Sequence, residues 1–134
     1  MTYQYLLDTN IISDLVRHPQ GLVFQRLAAV EENCICTCII VVCELRFGAA
    51  KSGSLRLLQQ LESILEVLPI LSLSPPVDRH YAVIRTHLEQ TGKPIGLNDL
   101  LIAAHTLALN LTLVTANIRE FERVPGLSVE NWLL

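Results

Sequence analysis

The chain has 134 residues, of which 51% are hydrophobic and 17% are charged. This length suits one domain, and the balance excludes a disordered charged protein and predicts a compact fold with a large buried core. The formal net charge of −3 excludes a broad basic surface, so any affinity for a polyanion must come from local groups and not from the overall field.

The apolar stretches of the chain are short. The longest, such as residues 38–43, are far below the roughly 20 residues that a membrane helix needs. Residues 1–7 lack the positively charged start and the long apolar run of a secretion signal. We therefore expect a cytoplasmic protein with no membrane association.

Strand-like and helix-like segments alternate along the chain. The patterns predict strands at 3–7, 33–36, 68–73, 111–114 and within 127–134, and helices at 10–16, 21–30, 38–50, 54–68, 75–91 and 99–109. Strands joined by long helices imply right-handed crossovers and a parallel sheet covered on both faces. Thr37 and Asn98 are expected to cap the helices that follow them, and the helix at 38–50, apolar nearly all round, is expected to be buried on most faces.

Four cysteines lie within ten residues, at positions 34, 36, 38 and 43. Neighbours on one strand or helix do not easily meet disulfide geometry, and no second distant pair of ligands suggests a zinc site. We expect reduced thiols that act as small buried hydrophobic groups.

Three isolated acids, Asp8, Glu44 and Asp99, stand in strongly apolar surroundings. A buried carboxylate needs a cation, a metal ion or strong hydrogen bonds, because its desolvation is costly. Each acid also has a purely structural interpretation. Asp8 could cap the first helix, Asp99 could stabilise its own helix N-terminus, and Glu44 could pair with Arg46 or another base.

A single metal site would account for all three acids together. Open α/β sheets bind ligands at the carboxyl ends of their strands, where the chain order reverses. Asp8 follows the first strand, and residues 115–117 follow the strand at 111–114. Asp99 and Glu44 can reach that edge from their helices, and such a set of oxygen ligands suits Mg²⁺.

At these residues the sequence resembles the PIN-domain ribonucleases, specifically the VapC toxins of bacterial toxin–antitoxin pairs. Four blocks carry the resemblance in the family's order, namely LDTN at 7–10, ELRFGA at 44–49, PIGLNDLLIAAH at 94–105 and VTANIREFERVPGL at 114–127. The resemblance implies one PIN-like α/β/α domain over residues 1–134, with a central, mainly parallel sheet of four or five strands.

The resemblance also implies an activity. It points to an Mg²⁺- or Mn²⁺-dependent endoribonuclease that cleaves single-stranded or loop RNA, transfer RNA among its targets. Water attack would leave 5′-phosphate and 3′-hydroxyl ends. The implied partners are a cognate VapB-like antitoxin, which blocks the acidic site, and a second copy of the chain in a homodimer.

The family's acids map onto Asp8, Glu44 and Asp99, and Glu120 is the expected further ligand or water-orienting group. Asn117 is neutral where many relatives have aspartate, which puts a second metal in doubt. The supporting residues expected to hold the carboxylates are Thr9, Asn10, Thr115 and Asn117.

The basic residues expected to contact RNA phosphates are Arg46, Lys51 and Arg119, because such groups bind phosphate well. The four histidines show no nucleophile or acid at a useful spacing, so we assign them no catalytic role.

Two other functions remain open from the residues alone. One is a phosphatase that uses Asp8 as its nucleophile. That chemistry commonly adds a second aspartate two residues on, where this chain has Asn10, and a buried lysine, for which Lys51 and Lys93 are the candidates. The other is a non-catalytic module whose acids bind a basic partner. Metal-dependent RNA cleavage separates the ribonuclease from both.

Overall fold

A computed structural model describes residues 2–134 of the chain. Met1, where the expected domain begins, lies outside the described residues. The elements in chain order are β1 (Tyr5–Leu7), α1 (Thr9–Arg17), α2 (Leu22–Ala29), a 3₁₀ turn (Glu32–Cys34), β2 (Ile35–Cys38), α3 (Ile39–Ser52), α4 (Leu55–Val67), β3 (Ile70–Leu71), α5 (Val77–Gln90), α6 (Leu97–Ala108), β4 (Thr112–Val114), α7 (Ile118–Phe121) and β5 (Ser128–Glu130).

The sheet has five strands in the order β3-β2-β1-β4-β5, and every neighbouring pair is parallel. The predicted α/β class and parallel sheet are therefore confirmed. Right-handed crossovers place α1 to α4 on one face and α5 to α7 on the other. The chain order reverses between β1 and β4, so the carboxyl ends of these two strands form the crevice in which such sheets bind ligands.

Apolar side chains pack on both faces of the central strands. Leu6, Leu113 and Val114 are fully buried, and Leu7 is nearly so. Strands covered on both faces have apolar residues at successive positions rather than alternating ones. This burial makes β1 and β4 a rigid base for the polar residues that follow them.

Both predicted helix caps are wrong. Thr37 lies fully buried in β2, where its hydroxyl donates to the Leu7 carbonyl oxygen at 2.7 Å, and Cys38 occupies the position before α3. Asn98 lies inside the first turn of α6, which begins at Leu97 after Gly96. In each case the side chain bonds to a neighbouring element instead of to its own helix.

The prediction that α3 is buried on most faces is also wrong. Val41, Val42 and Leu45 are buried, but Phe47 is 69% exposed. The helix packs against α1, α4 and α6, which cover only part of its surface. Cys43, also on α3, is exposed, whereas the other three cysteines are buried, and all four are free thiols.

None of the helices in residues 2–134 combines the length and the hydrophobicity that crossing a bilayer requires.

Candidate active site

Asp8 lies between β1 and α1, and it is only 3% exposed. One carboxylate oxygen, Oδ1, accepts the Thr9 N–H at 2.8 Å, and the other, Oδ2, accepts the Thr115 hydroxyl at 2.7 Å. Asp8 therefore caps α1, as its structural interpretation required. Burial nevertheless raises the pKa of Asp8, and the negative charge of nearby Glu44 adds to this rise. The hydrogen bonds from Thr115 and Thr9 lower the pKa and offset only part of the effect.

Thr115 and Asn10 join the segment after β1 to the segment after β4. The Asn10 amide donates to Asp8 Oδ2 and to Thr115 Oγ1, both at 3.4 Å, and its carbonyl oxygen accepts the Ala116 N–H at 2.9 Å. Thr115 Oγ1 also accepts the Asn117 N–H at 3.0 Å. The orientation of the Asp8 carboxylate is thus fixed by residues that follow two adjacent strands.

Glu44 reaches the same edge of the sheet from α3. Its carboxylate accepts hydrogen bonds from the Thr9 hydroxyl and, at 3.4 Å, from the Asn98 amide of α6. The suggested pairing of Glu44 with Arg46 is not present, because Arg46 pairs with Glu62 of α4. Residues two apart on a helix point in different directions, so Arg46 turns away from Glu44.

Asp99 and Glu120 form the other side of the site. Glu120 Oε2 accepts the Asn117 amide at 2.6 Å, and Oε1 accepts the Gly96 N–H at 3.3 Å. Burial raises the pKa of Asp99 to about 7, and Glu120, Asp8 and Glu44 all add to this rise. A hydrogen bond from protonated Asp99 to Glu120 contributes to this rise.

The pKa of Glu120 moves in the opposite direction. Burial alone would raise it, but hydrogen bonds from Asn117, Asp99 and Gly96, together with the charge of Arg123, lower it. Within the Asp99–Glu120 pair, Asp99 is therefore the carboxyl that binds a proton more readily.

The four acids are coupled electrostatically but are not neutralised by bases. Among residues 2–134, none of the ion pairs within 4.0 Å includes Asp8, Glu44, Asp99 or Glu120. Within the same part of the chain, no three Asp, Glu, His or Cys side chains are gathered into a ready-made metal cage. The donors are nevertheless carboxylate oxygens whose mutual repulsion a divalent cation would relieve, so their chemistry fits Mg²⁺ or Mn²⁺.

The three basic residues predicted to contact RNA lie in different environments. Arg46 is engaged by Glu62 and half exposed. Lys51 is exposed in the last turn of α3, on the same helix face as Glu44 but two turns away. Arg119 is exposed on α7, directly before Glu120.

Sequence reasoning missed two groups that hold the acids. They are the Asn98 amide, which contacts Glu44, and the Gly96 N–H, which contacts Glu120. Both lie in the segment that leads into Asp99. The available signal was the amide side chain of Asn98, directly before the suspected ligand Asp99. We interpreted Asn98 as a helix cap and therefore did not assign it to the site.

Thr115→Val tests how much the hydrogen bond from Thr115 to Asp8 contributes to the stability of the protein. The variant should lower the free energy of unfolding by about 2 kcal/mol, because a buried carboxylate loses its short hydroxyl donor. Urea denaturation at neutral pH measures the effect. Thr115→Ser keeps the hydroxyl and should retain most of the stability. Full stability of Thr115→Val, with the loss confined to Thr115→Ser, would assign the contribution of Thr115 to methyl packing instead.

Known proteins that are similar in sequence identify the family to which the chain belongs. The family model described as PIN domain matches residues 5–127. The chain therefore belongs to the PIN-domain family, as the four sequence blocks predicted, and within it to the VapC ribonucleases.

Individual relatives support this placement over nearly the whole chain. Ribonuclease VapC2 of Rickettsia felis is 42% identical over 130 residues, covering 96% of this chain and 97% of that protein. The tRNA(fMet)-specific endonuclease VapC of Shigella flexneri is 33% identical over 130 residues, covering 96% and 98%.

Solved structures share the fold. VapBC2 from Rickettsia felis, bound to a DNA fragment from its promoter, contains a chain that superposes with a TM-score of 0.89 and 39% identity, covering 96% of this chain and 98% of that chain. DNA-bound VapBC from Salmonella typhimurium gives a TM-score of 0.88 at 31% identity, covering 98% and 99%.

Proposed function

We propose that this chain is the toxin of a toxin–antitoxin pair, an Mg²⁺- or Mn²⁺-dependent endoribonuclease that hydrolyses single-stranded or loop RNA. The observation that carries the proposal is the set of four acids at the crevice beside β1 and β4. Asp8 and Glu44 are joined through hydrogen bonds to Thr9, the other three acids together raise the pKa of Asp99, and among residues 2–134 none of the four forms an ion pair within 4.0 Å. Membership of a ribonuclease family agrees with this chemistry.

The proposed ligands are the carboxylates of Asp8, Glu44, Asp99 and Glu120. A divalent ion bound there supplies Lewis acidity at the phosphate and activates water as the nucleophile. The protein's own contribution is to hold the ligands. Thr115 and Thr9 fix Asp8, the Thr9 hydroxyl and Asn98 fix Glu44, and Asn117 fixes Glu120.

The protonation of Asp99 affects its capacity to bind a cation. Asp99 must release its proton to act as an anionic ligand, and its pKa of about 7 allows that release near neutral pH once a cation compensates the charge. Asn117 keeps Glu120 anionic by donating to Oε2 at 2.6 Å. A neutral residue at 117 thus orients an acid instead of supplying one.

The phosphatase alternative is disfavoured by the surroundings of Asp8. A nucleophilic carboxylate must admit a whole phosphoryl group in line with one oxygen, whereas Asp8 is 3% exposed and both its oxygens accept hydrogen bonds, which leaves lone pairs for a small cation but little room for a phosphoryl group. The lysines that this chemistry would need, Lys51 and Lys93, are both exposed.

The proposed protein partner is a cognate VapB-like antitoxin. The basis is that solved structures similar to this chain are VapBC complexes, which pair a toxin with its antitoxin. An RNA substrate and such a partner would place the activity in the cytoplasm. The homodimer implied by the family resemblance stays a prediction.

The test is cleavage of RNA by purified, antitoxin-free protein. We expect fragments from mixed single-stranded RNA with Mn²⁺ or Mg²⁺, none with EDTA, and sequenced ends that carry 5′-phosphate and 3′-hydroxyl groups. Phosphate release from a simple monoester without RNA cleavage would favour the phosphatase. Neither reaction, with RNA bound intact, would favour a non-catalytic module.

A further inference from the structure

A polar cavity of 520 Å³ lies beside the acidic site. It is lined by the end of α5, the loop between α5 and α6, and α7 with the residues after it, namely His87, Thr91, Lys93, Arg119, Glu122 and Arg123. Its size falls in the roughly 300–1,000 Å³ range of ligand pockets. Unlike most such pockets, its lining is dominated by charged groups.

The charge at the cavity opposes that of the molecule as a whole. Three of the ten lysine and arginine side chains line it with a single carboxylate, which leaves a local excess of two positive charges in a chain of net charge −3. In the part of the chain that the structure describes, no ion pair within 4.0 Å includes Lys93, Arg119 or Arg123. Lys93 and Arg119 are therefore available to an external anion, whereas Arg123 also donates to the Pro94 carbonyl oxygen and helps to lower the pKa of Glu120.

The cavity adjoins the proposed ligands through two short segments. Arg119 precedes Glu120 on α7, so one helix turn presents a cation to the cavity and a carboxylate to the acidic site. The loop before α6 is bonded both to a cavity residue and to a proposed ligand. Arg123 Nη1 donates to the Pro94 carbonyl oxygen at 3.2 Å, and the Gly96 N–H donates to Glu120. Lys93 lies in that same loop.

We propose that this cavity binds a backbone phosphate of the RNA strand, while another phosphodiester of the same strand lies at the acidic site. The inference rests on the proposed ribonuclease function and adds residues to it. Guanidinium and ammonium groups on adjoining segments suit a phosphate, which they can contact together. A strand of regularly spaced phosphates can occupy the cavity and the acidic site at once, whereas a single small anion cannot.

The geometry also explains how an acidic protein holds RNA. Charges beyond about 8 Å are largely screened at physiological salt, so a phosphate in the cavity experiences its local excess of two positive charges more strongly than the net charge of the chain. Contacts to the backbone position a strand without reading its sequence. Lys93 and Arg119 are accordingly positioning residues for the strand, and Arg123 holds the loop that carries Lys93.

The test compares two double variants with equal changes in charge. Lys93→Gln/Arg119→Gln removes two cavity cations and spares Arg123, which anchors the loop at Pro94. Arg56→Gln/Arg79→Gln removes two exposed cations elsewhere, on α4 and on α5, where Arg79 lies about 12 Å along the helix from His87. A short fluorescein-labelled single-stranded RNA is titrated with each protein in EDTA, so that binding is measured without cleavage.

The cavity variant should bind RNA roughly tenfold more weakly than the wild type, and the slope of log Kd against log salt should fall by about 0.7 for each lost contact. In Mn²⁺ it should raise KM roughly tenfold and change kcat less than about twofold, since the contact is made equally in the ground and transition states. The control variant should match the wild type in both assays.

Unchanged RNA affinity in the cavity variant, or an equal loss in the control variant, would overturn the inference. So would binding of inorganic phosphate that requires Lys93 and Arg119 while RNA affinity does not, because the occupant would then be a free anion. Failure of the wild type to cleave RNA with Mn²⁺ would instead refute the proposed function, and the affinities in EDTA are measured independently of it.

Discussion

Asp99→Asn should reduce RNA cleavage by about 10³-fold or more while leaving the fold intact. Asparagine keeps the size of the side chain and an N–H that can donate to Glu120, as protonated Asp99 does. It cannot become the anion that the proposed metal site requires. Steady-state cleavage of a fluorescent single-stranded RNA with saturating Mn²⁺ measures the loss.

The matched control for this variant is Asp78→Asn. Asp78 is likewise an aspartate in the first turn of a helix, α5, but it is exposed and has no contact with the four acids. It should cleave RNA at the wild-type rate. Full activity of folded Asp99→Asn protein, checked by circular dichroism, would remove Asp99 from the mechanism.

In the absence of divalent ions, the contribution of Asp99 to stability should fall as pH rises from about 3.8 to about 7. The pKa of Asp99 is raised from 3.8 in the unfolded chain to about 7 in the folded protein. The folded state therefore binds more protons in this window, and the stabilisation present below pH 3.8 is lost as the pH passes through 7. We expect Asp99 to contribute a loss of about 2 kcal/mol after allowance for solvent screening.

Two other groups contribute with the opposite sign. Burial lowers the pKa of His105, which costs stability as pH falls below 6.5, and the lowered pKa of Glu120 costs stability as pH falls below 4.5. The contribution of Asp99 is therefore measured as the difference in the free energy of unfolding between wild type and Asp99→Asn, from urea denaturation in EDTA at each pH. Asp99→Asn should be the more stable protein at pH 8.

Divalent ions should reverse this order. At pH 8, Mn²⁺ at about 100 times its Kd should stabilise the wild type by about 2.7 kcal/mol and Asp99→Asn by much less. Identical pH profiles of stability for the two proteins in EDTA would show that the pKa of Asp99 is not raised by burial and by its acidic neighbours. Equal stabilisation by Mn²⁺ would place the ion elsewhere.

The sheet and the location of Asp8 could be predicted from the sequence because they depend on local patterns. Apolar strands alternating with helices specify a parallel sheet, and Asp8 follows the first strand directly. The predicted strands at 3–7 and 111–114 overlap β1 and β4, although each strand is shorter than predicted. An isolated acid after such a strand falls at the crevice whatever the details of the loops.

Interactions between distant segments could not be predicted in the same way. Thr37 and Asn98 have side chains that suit a helix cap, yet their partners are a β1 carbonyl oxygen and Glu44 of another helix. Local preference was overridden by a buried partner far away in sequence. The basic cavity was missed for the same reason, since Lys93 and Arg123 come together only through the packing of the loop before α6 on α7.

The most direct measurement is a crystal structure of the protein soaked in Mn²⁺, with anomalous scattering recorded for the ion. A peak within coordination distance of Asp8, Glu44 and Asp99 is the predicted result. A manganese peak away from these side chains, or none in a crystal that also contains RNA, would contradict the proposal that the acids act together as a metal site.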